Sequence, residues 1–283
     1  MTRSAPALRT RPIRLQAPRR ASSPDASARA PWGWALAGIV LGGCTALVLS
    51  LPAQWLAAGL ERASGGHLQL VAVRGSVWDG SAQLVLTGGA GSQSAAALPG
   101  RLHWRARPTL QGLRADLLAD CCTGAAPLQL QVRPRWGGAH LTIADGLSRW
   151  PAAVLTGLGT PWNTLQLQGQ LALKTEGFTA ETVRGRLTLG GTTKLDALAV
   201  SSRLSTLRPM GSYQLVLSGG DAPTLQLSTL SGVLQLSGNG QWVGQRLRFS
   251  GEAQAAPGSE PALSNLLNII GRRSGARSLI SLG

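Results

Sequence analysis

Charge is scarce in this chain, and carboxylates are scarcest. Charged residues make up 14% of the 283, with 12 acidic against 27 basic, and Lys174 and Lys194 are the only lysines. General acid–base catalysis needs carboxylates or histidines within hydrogen-bond reach of one substrate. Asp116 and Asp120 share helical spacing, but in strand-like or loop sequence, so they read as solvated. The three histidines, His67, His103 and His140, stand over thirty residues apart, and the 3 cysteines form no Cys-Xaa-Xaa-Cys pair. That spacing excludes a local zinc motif and leaves the histidines as strand or surface residues. The chain has no Gly-Xaa-Ser-Xaa-Gly elbow and no phosphate-binding loop; Gly75-Ser76-Val77 and Gly211-Ser212-Tyr213 are partial matches in turns. These absences read as a non-enzyme that needs neither cofactor nor metal.

A long apolar run is present. No charged residue occurs from Ala30 to Leu60, and Trp32–Leu51 supplies a continuous apolar stretch. As a helix it reaches about 30 Å, roughly the hydrocarbon thickness of a bilayer. Before it lie Arg3, Arg9, Arg11, Arg14, Arg19, Arg20 and Arg29, opposed by Asp25 alone, so the tail holds +6 of the net +15. The remaining charge is dispersed, without the concentrated basic stripe that nucleic acid requires. Arginines flanking a first span stay cytoplasmic, which places the rest of the chain outside; in a bacterium the outside is the periplasm. A cleaved signal peptide is the rival reading. Its basic region and apolar core would be shorter, and Pro52-Ala53-Gln54 makes a poor cleavage site.

The expected organisation is a disordered Arg/Pro-rich cytoplasmic tail (1–31), a transmembrane helix (32–51), a juxtamembrane helix and linker (52–66), and a periplasmic β-rich domain (67–283). Trp32, Trp34 and Trp55 suit the two membrane interfaces. Gly38 and Gly42 form a small-xxx-small pair, a candidate helix–helix contact. From His67 onward the period is two: Leu128-Gln-Leu-Gln-Val132, Leu165–Leu173, Tyr213–Leu217, Val233–Leu236 and Arg246–Phe249 alternate Leu, Val or Phe with polar residues. Such alternation buries one sheet face and wets the other. Gly/Asn/Asp/Pro clusters between the runs point to antiparallel connections. The fold class is therefore mainly β, an elongated or curved antiparallel sheet. Helices are expected at Ser148–Gly157 and at Pro261–Ile270; the second has Ser259 or Glu260 as cap and Gly271 as stop.

Cys44 lies in the apolar run as a small hydrophobe. Cys121 and Cys122 are adjacent, and two readings stay open: a vicinal disulfide, or two thiols with one buried. Arg101, Arg105 and Arg107 interleave with His103 and Trp104, and Arg133-Pro-Arg-Trp136 is similar. Basic and aromatic residues together can hold acidic lipid head groups, nucleic acid or an acidic partner; the plain reading of both stretches is an outward strand face.

In this order the pieces resemble the type II secretion system protein N (GspN) family. The resemblance is carried by Leu51-Pro-Ala-Gln-Trp55, by Gly75-Ser-Val-Trp-Asp-Gly80 with its Gly75, Trp78 and Gly80, and by Pro209-Met-Gly-Ser-Tyr213. It continues through Gly232–Gly238, Gln241-Trp242, Phe249-Ser-Gly251, Glu252-Ala253, Pro257 and Leu263–Gly271, and covers residues 32–283. The basic tail and the Cys121-Cys122 pair have no counterpart in it. It implies a non-catalytic, single-pass inner-membrane component of the machine that exports folded proteins across the outer membrane. The implied partners are other inner-membrane or periplasmic subunits of that machine, with membrane lipid around the span and no nucleic acid. The alternative is an AsmA-like periplasmic lipid-handling protein, whose curved sheet holds acyl chains in an apolar groove. Uncovered leucine rows would favour lipid; a face closed by the C-terminal helix would favour docking.

Overall fold

The computed structural model describes residues 32–184, 186–244 and 246–283; the tail expected to be disordered, 1–31, lies outside the described residues. The chain divides into two units, 1–46 and 47–283. The first consists, where described, of most of α1 (Trp32–Leu49), a helix without a charged or buried residue. By length and composition α1 suffices to cross a membrane.

The second unit opens with α2 (Ala53–Ala63). Pro52 precedes it in extended backbone (φ −63°, ψ 143°), where its missing N–H costs the helix nothing. Ala53, Leu56, Ala57 and Leu60 recur at helical spacing and form its packing stripe. Gly65 and Gly66 then turn the chain through left-handed backbone (φ 62° and 84°), which a side chain would oppose.

Sixteen strands follow: β1 (Leu68–Gly75), β2 (Asp79–Thr87), β3 (Ala95–Ala97), β4 (Leu102–Thr109), β5 (Gly112–Ala119), β6 (Leu128–Arg135), β7 (Gly138–Ile143), β8 (Gly146–Pro151), β9 (Gln168–Val183), β10 (Arg186–Ser201), β11 (Gly211–Gly220), β12 (Thr224–Gly232), β13 (Leu234–Val243), β14 (Arg246–Ala255), β15 (Arg272–Ser274) and β16 (Arg277–Leu282). All pair antiparallel in one sheet, ordered β1-β2-β4-β5-β6-β7-β9-β10-β11-β12-β13-β14-β16-β15, with β3 beside β2 and β8 beside β9. The path is close to sequence order because each strand returns through a short turn next to its predecessor. The mainly-β, antiparallel expectation holds.

The expected helix at Ser148–Gly157 is corrected. Gly146–Pro151 is strand β8, with Ser148 opposite Leu173, and only Ala152–Leu158 winds, as a 3-10 segment. Pro151 is held extended (φ −68°, ψ 130°), so no helix begins before it. Gly157 then passes so close to β2 and β3 that a Cβ would meet the Ala96 amide nitrogen at 2.7 Å. A four-residue α3 (Trp162–Leu165) follows. The C-terminal helix α4 (Glu260–Ile270) forms as expected, but Ser259 makes no side-chain capping bond and Gly271 stops it in extended backbone. β15 and β16 had no counterpart in the periodicity.

Three apolar clusters hold the second unit together. Near its start, Ala53 of α2, Leu70, Ala82 and Trp104 are buried, with Leu56, Leu60 and Leu117 packed around them. A second joins Leu98, Ala119, Cys122 and Val154. The third and largest gathers Val200, Met210, Tyr213, Leu234, Ala253 and Ala255 beneath Leu263, Leu266 and Leu267 of α4.

Candidate functional site

Two places stand out: the β1–β2 tip, where the chain leaving α1 meets the sheet, and an apolar row in the middle strands. At the tip, Gly75 has φ 88°, and a Cβ there would meet Gly80 Cα at 2.8 Å, so only glycine closes the turn. The Ser76 hydroxyl accepts the amide N–H groups of Trp78 (3.2 Å) and Asp79 (3.1 Å), a side-chain substitute for turn hydrogen bonds. The Ser76 carbonyl accepts the Trp104 indole N–H at 3.1 Å. Gly80 then lies under that ring, where a Cβ would meet Trp104 Cζ2 at 2.5 Å.

Trp78 points the other way. Its indole N–H donates to the Val48 carbonyl in the last turn of α1 at 2.8 Å. The Val77 amide donates to the Leu51 carbonyl at 3.0 Å, and Pro52 bridges Ser76. The last carbonyls of a helix lack partners within it, and here a tryptophan supplies one. Gly75, Trp78 and Gly80 thus form one working turn: the glycines let β1 and β2 approach, and Trp78 ties the turn to the end of the apolar helix.

The row lies across five strands. Leu113 pairs with Val132, Val132 with Leu141, Leu141 with Ala180, and Ala180 with Leu189, with no register shift from β5 through β9. Leu113 lies four residues before Leu117, which packs beside Trp104, so period-two geometry puts the row on the face that α2 covers. The row's five side chains are only partly buried, and Leu187, flanking it, is 46% exposed. On the opposite face Lys174 bonds Glu176 at 2.8 Å, with Lys194 at 3.8 Å. The Lys174 hydrogen bond holds the Glu176 carboxyl below its ordinary range and, in return, holds Lys174 above its own.

The other sequence-predicted residues fall apart from these places. Gly38 and Gly42 lie about one turn apart on α1, where a Cβ at either would meet nothing within 4 Å among the described residues. Cys121 and Cys122 are joined by a disulfide at the turn after β5. Cys122 is buried against Leu98 and Val154, and its carbonyl accepts the Arg149 amide at 2.8 Å. Among the described residues no group of three or more His, Cys, Asp and Glu side chains is placed to hold a metal ion. A shallow cleft of about 680 Å³ between α2 and the loop after β2 is lined by Glu61, Arg62, Gln69, Thr87 and small residues.

Sequence reading missed the parts played by Ser76, Trp104, Arg101 and Val48. Trp104 carried a signal: within the basic stretch, Trp104 and Ala106 alternate with Arg105 and Arg107, and the structure buries the first pair and exposes the second. Arg101 donates to the Ala72 carbonyl at 2.8 Å and to Ser81, filling the bulge in β1. Neither that bulge nor the Val48 contact has a local sequence pattern.

These features define a class: among the described residues, a single antiparallel sheet following one apolar helix in the chain, with its conspicuous geometry in side-chain packing and turn hydrogen bonds. A family model described as type II secretion system (T2SS), protein N, matches residues 66–279. The chain belongs to that family, as its motifs suggested. No curated protein and no solved structure matched the chain.

Proposed function

We propose that this protein is a single-pass inner-membrane component of the type II secretion system that acts by docking rather than by chemistry. In this reading residues 1–31 are cytoplasmic, α1 crosses the membrane, and 67–283 stand in the periplasm, aiding export of folded proteins across the outer membrane. The family match supports the machine, and the arginine-rich tail supports the orientation. The observation that carries docking is the sheet face closed by α4, whose Leu263, Leu266 and Leu267 are buried over Met210, Tyr213 and Leu234; the partly buried row Leu113–Val132–Leu141–Ala180–Leu189 is the surface left to receive a partner. Apolar surface kept open next to a closed core marks a contact site. The edges suit this less well: β15 has only three residues, and β1 is bulged and packed by α2. Gly38 and Gly42 provide a face for a second helix within the membrane.

The test places a photo-crosslinking residue at Val132 or Leu141 in cells. Capture of a secretion subunit from these positions, but not from Gln226 on β12, is the expected result. Intact secretion after deletion of the gene, together with no captured subunit, would sink the proposal. A second reading, AsmA-like lipid handling, rests on the same uncovered row, since a leucine-lined strip also suits acyl chains. Phospholipid that co-purifies with the full chain, and is lost on Leu141→Asp, would favour it.

A further inference from the structure

Every second turn of the sheet lies at the end where the chain leaves α1. The β1–β2 tip holds Val48 and Leu51 through Trp78 and Val77, and antiparallel order brings the β4–β5 and β6–β7 tips to the same end. At about 4.8 Å per strand they follow at roughly 10 and 20 Å along that edge. They also stand further out. Asp79 pairs with Arg105, and β4 runs on to Thr109; Leu113 pairs with Val132, and β6 runs on to Arg135.

Two residues at these tips have no structural reason to be apolar. The β4–β5 turn is Leu110-Gln111 and the β6–β7 turn is Trp136-Gly137, each a two-residue connection. Such turns want Gly, Asn or Asp for backbone reasons and ask nothing of a large side chain. Yet Leu110 is 108% and Trp136 95% exposed, the highest values for large apolar side chains among the described residues. Just below them Arg107 stands directly opposite Arg114 across β4 and β5. Like charges so placed repel, and among the described residues neither arginine has a carboxylate within salt-bridge distance. Arg135 partly engages Glu181 at 3.8 Å.

Exposed Trp and Leu at the tips, above arginines without a carboxylate partner (Arg114 donates to the neutral Gln129 side chain at 2.8 Å), match the layering of a membrane interface, where indole rings sit among headgroups and arginines meet anionic phosphates. We propose that the β4–β5 and β6–β7 tips rest on the anionic phospholipid surface of the membrane that α1 crosses. Leu110 and Trp136 enter the interfacial layer, and Arg107 and Arg114 bind headgroup phosphate, which relieves their mutual repulsion. The inference rests on the reading of α1 as a span. It is confined to the β4–β5 and β6–β7 tips, where the exposed Trp136 and Leu110 and the Arg107–Arg114 pair occur.

The test uses the full chain in vesicles of phosphatidylethanolamine and phosphatidylglycerol. An environment-sensitive fluorophore is attached at Trp136→Cys, or at Gln93→Cys in the loop at the opposite end of β2, each in a Cys44→Ala background. In the natural sequence the same label goes on Cys44, the free cysteine. Headgroup-tethered nitroxide lipid should cut the emission at 136 by about half, as for groups held at the interface, and leave 93 unchanged. Adding Arg107→Gln and Arg114→Gln should return the emission at 136 towards that at 93. The proposal is overturned if 136 is as unquenched as 93 while chain-tethered nitroxide quenches Cys44. An unchanged signal in the double arginine variant would overturn the headgroup role. If Cys44 escapes chain-tethered nitroxide, the anchor reading itself has failed.

Discussion

Each end of the strand order is packed by an amphipathic helix of 11 residues, α2 at the β1 end and α4 over β14–β16, yet the two ends are built differently. Under α4 the helix itself supplies the burial: Leu263, Leu266 and Leu267 are 0%, 2% and 0% exposed. Each such leucine contributes roughly 1.5–3 kcal/mol of hydrophobic stabilisation. Under α2 the only fully buried helix residue is Ala53, and the bulk comes from Trp104 of β4. There the specificity lies in hydrogen bonds, from Ser76 and from the indoles of Trp78 and Trp104. One end closes the sheet; the other attaches it to the helix before it. Stability and connection are thus assigned to opposite ends of one sheet.

That contrast can be broken by substitution in the full chain in detergent, starting with the largest effect. Leu267→Ala should cost about 2–5 kcal/mol in denaturant unfolding, as for a buried leucine with little room to collapse. Leu60→Ala, from a partly buried position on α2, should cost clearly less, and equal losses would erase the distinction between the ends. Gly80→Ala should cost about 1–3 kcal/mol through overpacking against the Trp104 ring. Tyr213→Phe should act in the opposite sense. The Tyr213 hydroxyl is buried in the α4 cluster with no hydrogen-bond partner among the described residues, and burial pushes its pKa up. Removing it should be neutral or stabilise by up to about 1 kcal/mol. Trp78→Phe keeps the ring and loses one bond, so global stability should fall by only about 0.5–1.5 kcal/mol. Its signature is local: amide exchange should quicken at Val77 and residues 51–55 with α4 unaffected.

Glu176→Gln should have the smallest effect, because all three members of its lysine cluster are largely solvated. Its pH dependence has a defined sign. The Glu176 carboxyl is held below its ordinary 4.5, so its contribution is present above that value and lost as pH falls through the depressed pKa. Lys174 is held above its ordinary 10.5, so its contribution is present below that value and lost as pH rises through the raised one. The difference in melting temperature between natural chain and variant should be flat through neutral pH and vanish in acid.

Much of the fold is legible in the sequence because it is local. Period-two runs such as Leu128–Val132 and Tyr213–Leu217 became strands, and Leu263, Leu266, Leu267 and Ile270 became the inward face of α4. Ser148–Gly157 misled, because Pro151 suits both a helix start and an extended residue, and pairing with β9 decided between them. The later motifs of the family resemblance are scattered over residues 209–271. Met210, Tyr213, Leu234, Ala253 and Leu263 from those motifs meet in the α4 cluster, and only long-range register brings them together.

The sequence by itself determined that this chain has one charge-free apolar helix behind a basic tail, a sheet of alternating strands, and the markings of its family. Composition and period act over a few residues and need no partner. Only the tertiary structure decided that Trp78 would reach back to Val48, that Leu113 to Leu189 would align across five strands, and that Leu110 and Trp136 would project from one edge. Strand register and the cumulative stagger of hairpins set those positions, and neither quantity resides in any single stretch of the chain.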